Sequence, residues 1–594
     1  MGASDPSGRD VLRGAIRGQR RGVAVGSLLG AGHQAGEASV PVLIGVVIDQ
    51  AVGKGDLSAL LLWLAVLAVV YVGLSFSFRF GARAGERAAE QAGHKLRVAL
   101  VRRVLDAGGG AENGRLPGAL ATIATEDAKR VGVVNMAVMS GVAALTGLLV
   151  GAVVLLRISV PLGLIVLLGT PVLLWLGHLL SKPLEHRSEA EQERASHASG
   201  VAADLVAGLR VLKGIGAEAA AVDRYRRTSR DSLVATLRAA RAEALQSGMV
   251  LALTGGFIAV VALVGGRLAI AGDITLGELV SAVGLALFLL GPLEVFSWVN
   301  ADLAQGRASA ARIAGVLAAP RDVAPGGAPP PAPVRGAVRL RGVSHGGLRE
   351  IDLDVRPGEV LGVAATDPAD AAALLRCLGR QADPDAGAVE LDGVPLRELD
   401  PADVRMAILV ADHDADLFEG TLRDNITAAL DTPGRTAPDA PERTALGDLE
   451  RIDPAGTGRT AVPGREEDAM RAAGVEEIAR ALARGADTAV TERGRSLSGG
   501  QRQRVALARA LAADRPVLVV HDPTTAVDAV TEARIAAGIR EIRRGRTTIL
   551  VTTSPSLLAM ADRVVLLDQG RIVDTASHAD LVQRHTAYRT AVLA

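Results

Sequence analysis

The run Leu497-Ser498-Gly499-Gly500-Gln501-Arg502-Gln503-Arg504 carries the clearest chemical signal in the chain. A Ser-Gly-Gly turn at the head of a helix-forming stretch offers bare N–H groups, a hydroxyl and the helix's positive end to an anion, phosphate above all. The segment Asp412-His413-Asp414-Ala415-Asp416 has metal-ligating side chains. It lacks a spaced second pair, so it reads as a solvated polar loop and no metal is expected. His33 and Glu37 stand four apart in an apolar run and share one helix face, and Glu294 follows Gly291-Pro292-Leu293 at an expected kink in another run. Ionisable groups at such positions serve as substrate or proton contacts, or as polar clamps between helices. The residues alone leave both open.

The elements that must position these groups are of two kinds. At 594 residues the chain exceeds one core. Its hydrophobic fraction is 49% and its mean hydropathy +0.29, yet aromatics are only 2%, so the apolar mass is Ala, Val, Leu and Gly, small enough for close packing of transmembrane helices. Lys+Arg and Asp+Glu both total 65, which leaves no basic excess of the kind a nucleic-acid binder needs. The single Cys377 excludes an internal disulfide.

Residues 1–305 hold long apolar runs, whereas residues 335–594 read as a soluble α/β domain. The tract Pro325-Gly326-Gly327-Ala328-Pro329-Pro330-Pro331-Ala332-Pro333 can neither continue a helix nor pack a core, so 321–334 is expected to be a linker. Six spanning helices are expected near 22–50, 57–80, 132–156, 158–180, 246–270 and 275–303, each approaching the roughly 20 residues that a bilayer requires. Residues 1–21 form a basic tail, and the segment after the second helix carries Arg79, Arg83, Arg87, Lys95, Arg97, Arg102 and Arg103. The links after helices one, three and five hold only Lys54, Arg157 and Arg267. This bias puts both termini in the cytoplasm of a multi-pass protein of a bacterial cytoplasmic membrane. The excursions 81–131 and 181–245 read as long helices extending beyond the membrane.

The first half resembles the transmembrane domain of six-helix ABC half-exporters. The matching stretches are Thr122-Ile123-Ala124-Thr125-Glu126-Asp127, Gly208–Glu218 and Gly272-Asp273-Ile274-Thr275-Leu276-Gly277-Glu278-Leu279. The resemblance implies coupling roles for Asp127 and Glu218. The 497–501 run resembles LSGGQ, the mark of ATP-binding cassette proteins. The expected fold is therefore an all-α six-helix membrane domain over 22–320, then an α/β P-loop-type ABC nucleotide-binding domain over 335–594 with a degenerate P-loop. In that family LSGGQ faces the γ-phosphate of ATP held by the other cassette of a dimer. Ser498, Gly499, Gly500, Gln501 and the D-loop Asp528 are thus expected to bind nucleotide in trans, and the motif implies a partner.

The groups that would hold the chain's own nucleotide depart from the family pattern. No aromatic follows the strand Val338–Ser344, where His345-Gly346-Gly347 stands instead. Counted from Pro357-Gly358-Glu359, the positions of G-x-x-x-x-G-K-[ST] fall on Ala365, Asp370, Ala371 and Ala372. Ala371 brings no charge to the phosphates, Ala372 has no hydroxyl for Mg2+, and Asp367 and Asp370 add negative charge. The Q-loop glutamine falls on His413, the Mg2+-organising Asp of Walker B on His521, the catalytic Glu on Asp522, and the switch histidine on Thr553. Residues 430–470 read as a mobile surface insertion.

The damage is confined to what the chain would use for itself, while what it would offer a partner is intact. The expected role is one half of a heterodimeric ATP-driven exporter, unable to hydrolyse ATP alone. ATP and Mg2+ would sit at a composite site held mainly by a second half-transporter with complete Walker motifs. The cargo would be an amphipathic small molecule, peptide or lipid. An importer with the exporter fold and a non-transporting membrane adaptor are the alternatives.

Overall fold

A computed structural model describes residues 6–413, 416–430 and 464–593. It divides into two compact units, Met1–Arg103 with Glu112–Ala319, and Val104–Ala111 with Pro320–Ala594.

The first unit is all helix. It begins with α1 (Gly8–Arg17), so the residues expected to be a tail form a helix. Ser7 and Asp10 close a capping box at its start, and Val11 is buried. Then follow α2 (Arg20–Val47), continued by a π-turn over Ile48–Val52, and α3 (Leu57–Val104). The short α4 (Pro117–Thr122) runs through a second π-turn, Ile123–Asp127, into α5 (Ala128–Ile158). Next come α6 (Val160–Ala207), α7 (Leu209–Gly214) and α8 (Glu218–Ala271), then α9 (Leu276–Phe288) and α10 (Leu290–Leu317). Six of these stretches are long and apolar enough to cross a membrane, as the sequence predicts. The break at Leu289 has a covalent cause: Pro292 has no N–H to offer the carbonyl of Phe288.

Small residues set the packing. Gly45 of α2 and Gly277 of α9 approach so closely that a Cβ on either would overlap the other's backbone. Asp49 pins the same seam, accepting hydrogen bonds from the Thr275 hydroxyl (2.5 Å) and the Gly277 N–H (2.9 Å). Ala38, Leu155, Leu162, Val166, Val261 and Leu285 form the buried centre.

The second unit is α/β. Strands β1 (Val338–His345) and β2 (Leu348–Val355) precede β3 (Val360–Ala365) and α11 (Pro368–Leu378). Then come β4 (Ala386–Leu391), β5 (Val394–Pro395), α12 (Pro401–Ala407), β6 (Ile408–Ala411), β7 (Gly420–Thr421) and α13 (Leu422–Thr427). After the undescribed stretch stand α14 (Arg465–Ala472), α15 (Val475–Ala481), β8 (Ala489–Val490), α16 (Gly499–Ala512), β9 (Val517–His521) and α17 (Ala529–Ile542). The chain ends with β10 (Thr547–Val551), α18 (Pro555–Ala559), β11 (Arg563–Asp568), β12 (Arg571–Ala576), α19 (His578–Arg584) and α20 (Thr586–Leu593).

Strands β11, β3, β10, β9 and β6 run parallel in one sheet, with β12 antiparallel at its edge, and β2-β1-β4-β5 form an antiparallel sheet. The parallel strands are apolar on both faces, as central strands covered by helices must be.

Two sequence expectations need correction. The Pro/Gly tract contributes to packing after all. Val323 is buried, Ala328 donates to the Glu398 carbonyl (2.8 Å), and buried Arg380 donates to the Ala324 carbonyl (2.7 Å). Its backbone carbonyls and small side chains are what make it dockable. Of the insertion expected over 430–470, residues 431–463 lie outside the described residues. Its far end is the start of α14, whose Ala469 and Met470 are buried in the helical core.

Candidate functional site

The 497–501 turn is rigid before anything binds it. Leu497 is buried and anchors it. Ser498 caps α16: its hydroxyl accepts from the Gln501 N–H (3.3 Å), and the Gln501 side-chain oxygen accepts from the Ser498 N–H (2.8 Å). This reciprocal box fixes the helix's positive end in an exposed position. The two glycines differ in their reasons. A Cβ on Gly500 would run into the Ala526 carbonyl, so the neighbouring loop requires that glycine. A Cβ on Gly499 would meet only the Ala526 methyl at 3.8 Å, so no neighbour among the described residues requires Gly499.

A residue to which the sequence reading gave no role joins this turn to the D-loop. Gln503 donates from Nε2 to the Thr525 hydroxyl (2.6 Å) and accepts at Oε1 from the Ala526 N–H (3.0 Å). Asp528 spends its carboxylate on capping α17, accepting from the N–H groups of Val530 (3.1 Å) and Thr531 (3.0 Å). Those N–H groups hold it below the usual carboxylate range.

At the 365–372 segment the local chemistry is self-contained. Asp367 caps α11, accepting from the Ala369 N–H (2.8 Å), so an internal carboxylate already occupies the helix's positive end. Asp370 is buried and accepts from the Gly570 N–H (2.8 Å). Thr366 donates to Asp568 (2.5 Å). Ala371 is buried and Ala372 exposed, and neither brings charge or hydroxyl. Ala365 ends β3.

Two strands over from β3 in the same sheet, β9 ends in His521, and Asp522 follows it. Asp522 holds φ +39°, a left-handed value that a short polar residue tolerates. It accepts from the Thr552 hydroxyl (2.7 Å) and lies 3.8 Å from His521 Nε2. His413 meets His521 edge-on, their Nδ1 atoms 3.3 Å apart. Burial holds the His521 imidazole below its ordinary value of 6.5. The two histidines share the wall of a 340 Å3 cavity with Asp412, Gln503 and Arg509. Thr553 is exposed, one residue beyond β10's last bond.

In the membrane unit, His33 and Gln34 line a 260 Å3 cavity with Phe78, Met136, Met139 and Trp298. Glu37 and Glu294 are exposed and do not line that cavity, but Glu37 Oε2 lies 3.8 Å from His33 Nε2, as their i,i+4 spacing predicts. Helix periodicity gives a face but not its neighbours. His33 acts as an interhelical clamp, its Nδ1 3.0 Å from the Leu74 carbonyl. Gln34 Oε1 is buried with no partner among the described residues. Asp127 is also buried, gripped by Arg312 Nε (2.7 Å) and Nη2 (2.5 Å) and by the Ser309 hydroxyl (2.9 Å). Glu218 is exposed at the first turn of α8, beside the exposed Val211 and Ile215 around α7.

The helical unit matches the family model described as the ABC transporter transmembrane region over residues 23–293, and the α/β unit matches the model described as ABC transporter over residues 348–525. An ATP-dependent lipid A-core flippase of Thiobacillus denitrificans is 30% identical over 436 residues, covering 72% of this chain and 70% of the flippase. The chain belongs to the ABC transporter family. A multidrug efflux ATP-binding/permease protein of Mycobacterium tuberculosis is 32% identical over 557 residues, which is 93% of this chain and 44% of that protein, so the chain spans less than half of that relative. A bacterial Atm1-family ABC exporter solved with ATP bound shares the fold, with a TM-score of 0.71 at 21% identity over 97% of this chain and 98% of that one. This ABC transporter chain thus has the exporter fold: among the described residues, six stretches long and apolar enough to cross a membrane, followed by a nucleotide-binding domain of a type that works with ATP and Mg2+.

Proposed function

We propose that this chain is one half of a heterodimeric ATP-driven exporter, lending its 497–501 turn to nucleotide held by a different half-transporter. One contrast carries the reading. The 497–501 turn is capped and exposed, while the carboxylates where the chain's own triphosphate would lie are already bonded within the domain. Gly499 is open to approach and, among the described residues, no neighbour requires it. Asp367 caps the helix end that phosphates would need, and Asp370 is buried against Gly570. A magnesium triphosphate does not fit a segment with two carboxylates, no lysine and no hydroxyl at the metal-binding position. At an effective dielectric near 20, like charges about 4 Å apart repel by roughly 4 kcal/mol.

The partner would supply Walker A, Walker B and the catalytic carboxylate, and this chain Ser498, Gly499, Gly500 and the D-loop. Closure across that one site would bias the membrane helices through the 117–127 and 208–218 tips, and hydrolysis would reset them. Both termini would be cytoplasmic in a bacterial membrane. Relatives named for multidrug efflux and lipid A-core flipping support an amphipathic cargo.

The test is ATP turnover in lipid nanodiscs. The chain alone is expected to show none. Co-purified with a half-transporter carrying complete Walker motifs, it supports turnover that Ser498→Ala in this chain abolishes. Turnover by the isolated chain would sink the reading.

A further inference from the structure

Between the α1–α2 junction and α3 lies a groove of about 530 Å3. Arg17, Arg20, Arg21 and Arg87 line it, all exposed, and no Asp or Glu does. Glu86 and Glu90 flank Arg87 on α3 but neither lines the groove, and Glu90 lies 3.7 Å from Arg97. Four guanidiniums gathered around one groove repel one another, and an anion that enters among them relieves that repulsion.

The groove also has an apolar end. Val25, 51% exposed, forms part of its wall, and Leu28, one turn further along α2, is 75% exposed. The floor is close-packed, with Gly22 lying against Ala84 and Ala88. Helix α1 makes extensive contact with α10 and buries Val11, so the arginine at its end is held in place. The charged mouth stands where the first membrane crossing begins, at Arg20.

We propose that this groove binds the phosphate headgroup of an anionic phospholipid, with the guanidiniums on the phosphate oxygens and an acyl chain along Val25 and Leu28. Guanidinium forks match phosphate oxygens in geometry as well as charge. Helix α1 carries Arg9, Arg13 and Arg17 along one face and packs its Val11 side into the helical unit, which fixes the basic end of the groove beside the start of the first crossing. Six crossings put this groove on the same side of the membrane as both chain ends. The lipid would come from that leaflet. Free phosphate offers the same oxygens but has nothing to lay along the apolar wall.

The experiment uses the full chain in nanodiscs of phosphatidylcholine doped with phosphatidylglycerol, ejected for native mass spectrometry. Retention of phosphatidylglycerol above its bulk share is expected. Arg20→Gln or Arg87→Gln should each lower that retention about fivefold. Replacing all four arginines by glutamine should remove it, and replacing all four by lysine should retain part of it. The single variants carry the test if the fourfold glutamine variant fails to fold. Arg9→Gln with Arg13→Gln, which removes charge from α1 outside the groove, should leave retention unchanged. Three results would overturn the proposal: no preference for phosphatidylglycerol, equal loss in the Arg9/Arg13 variant, or displacement of the lipid by inorganic phosphate.

Discussion

The buried carboxylate of Asp370 accepts a hydrogen bond from the backbone N–H of Gly570, 2.8 Å away. That bond ties the turn after β3 to the β11–β12 hairpin, 200 residues further on. Asp370→Ala leaves the Gly570 N–H buried and unpaired, a loss of about 1–3 kcal/mol. The cassette transition in calorimetry of the full chain should fall by several degrees, at about 2–4 °C per kcal/mol. Filter-bound nucleotide should stay at background before and after the change.

The two glycines of the 497–501 turn should separate folding from function. Gly499→Ala makes only an ordinary contact with the Ala526 methyl, at 3.8 Å, and should change stability by no more than about 0.5 kcal/mol. In the proposed heterodimer it should still lower ATP turnover steeply, by about 10²–10³ if it displaces one phosphate donor. Gly500→Ala should fail differently, costing about 1–3 kcal/mol because the methyl meets the Ala526 carbonyl. Thermal unfolding and coupled ATPase assays on the same preparations distinguish the two outcomes.

Acidification should weaken the cassette through His521. Burial lowers its folded-state affinity for a proton below that of the unfolded chain, whose ordinary value is 6.5. The unfolded state therefore binds more protons as pH falls below that value, and stability drops. Above it, this contribution is flat. His521→Gln should show a smaller loss between pH 7.5 and 5.5 than the parent chain, about 1 kcal/mol per unit of pKa depression removed. Denaturant melts at the two pH values measure the difference.

In the membrane unit, Arg312→Ala leaves Asp127 buried without its cation. Removing one partner of a buried pair costs about 3–5 kcal/mol, and Arg312's 48% side-chain exposure reduces that toward about 2. Asp127→Asn with Arg312→Gln should recover much of the loss. Detergent thermal stability of the three variants tests the order.

The sequence displays the six crossings because each is a long apolar run with basic residues at one side, a signal that no tertiary contact can hide. The Ser-Gly-Gly turn is equally visible, since Ser498, Gly499 and Gly500 are adjacent. What stayed hidden depends on distance along the chain. Arg312 lies 185 residues from Asp127, so the sequence does not show the cation that grips the buried aspartate. Gln503 and Thr525 are 22 apart, and nothing in either residue announces the other. The Pro/Gly tract misleads for another reason: its composition forbids helix but leaves carbonyls free, and Arg380 uses one.

The strut formed by Gln503 has a consequence for affinity. Because Gln503 of α16 holds Thr525 and the Ala526 N–H, the D-loop is already tied to the helix that the glycine turn opens when a nucleotide-bearing surface arrives. The conformational entropy of arranging them is already settled by folding, so more of the contact energy is left for holding the two cassettes together.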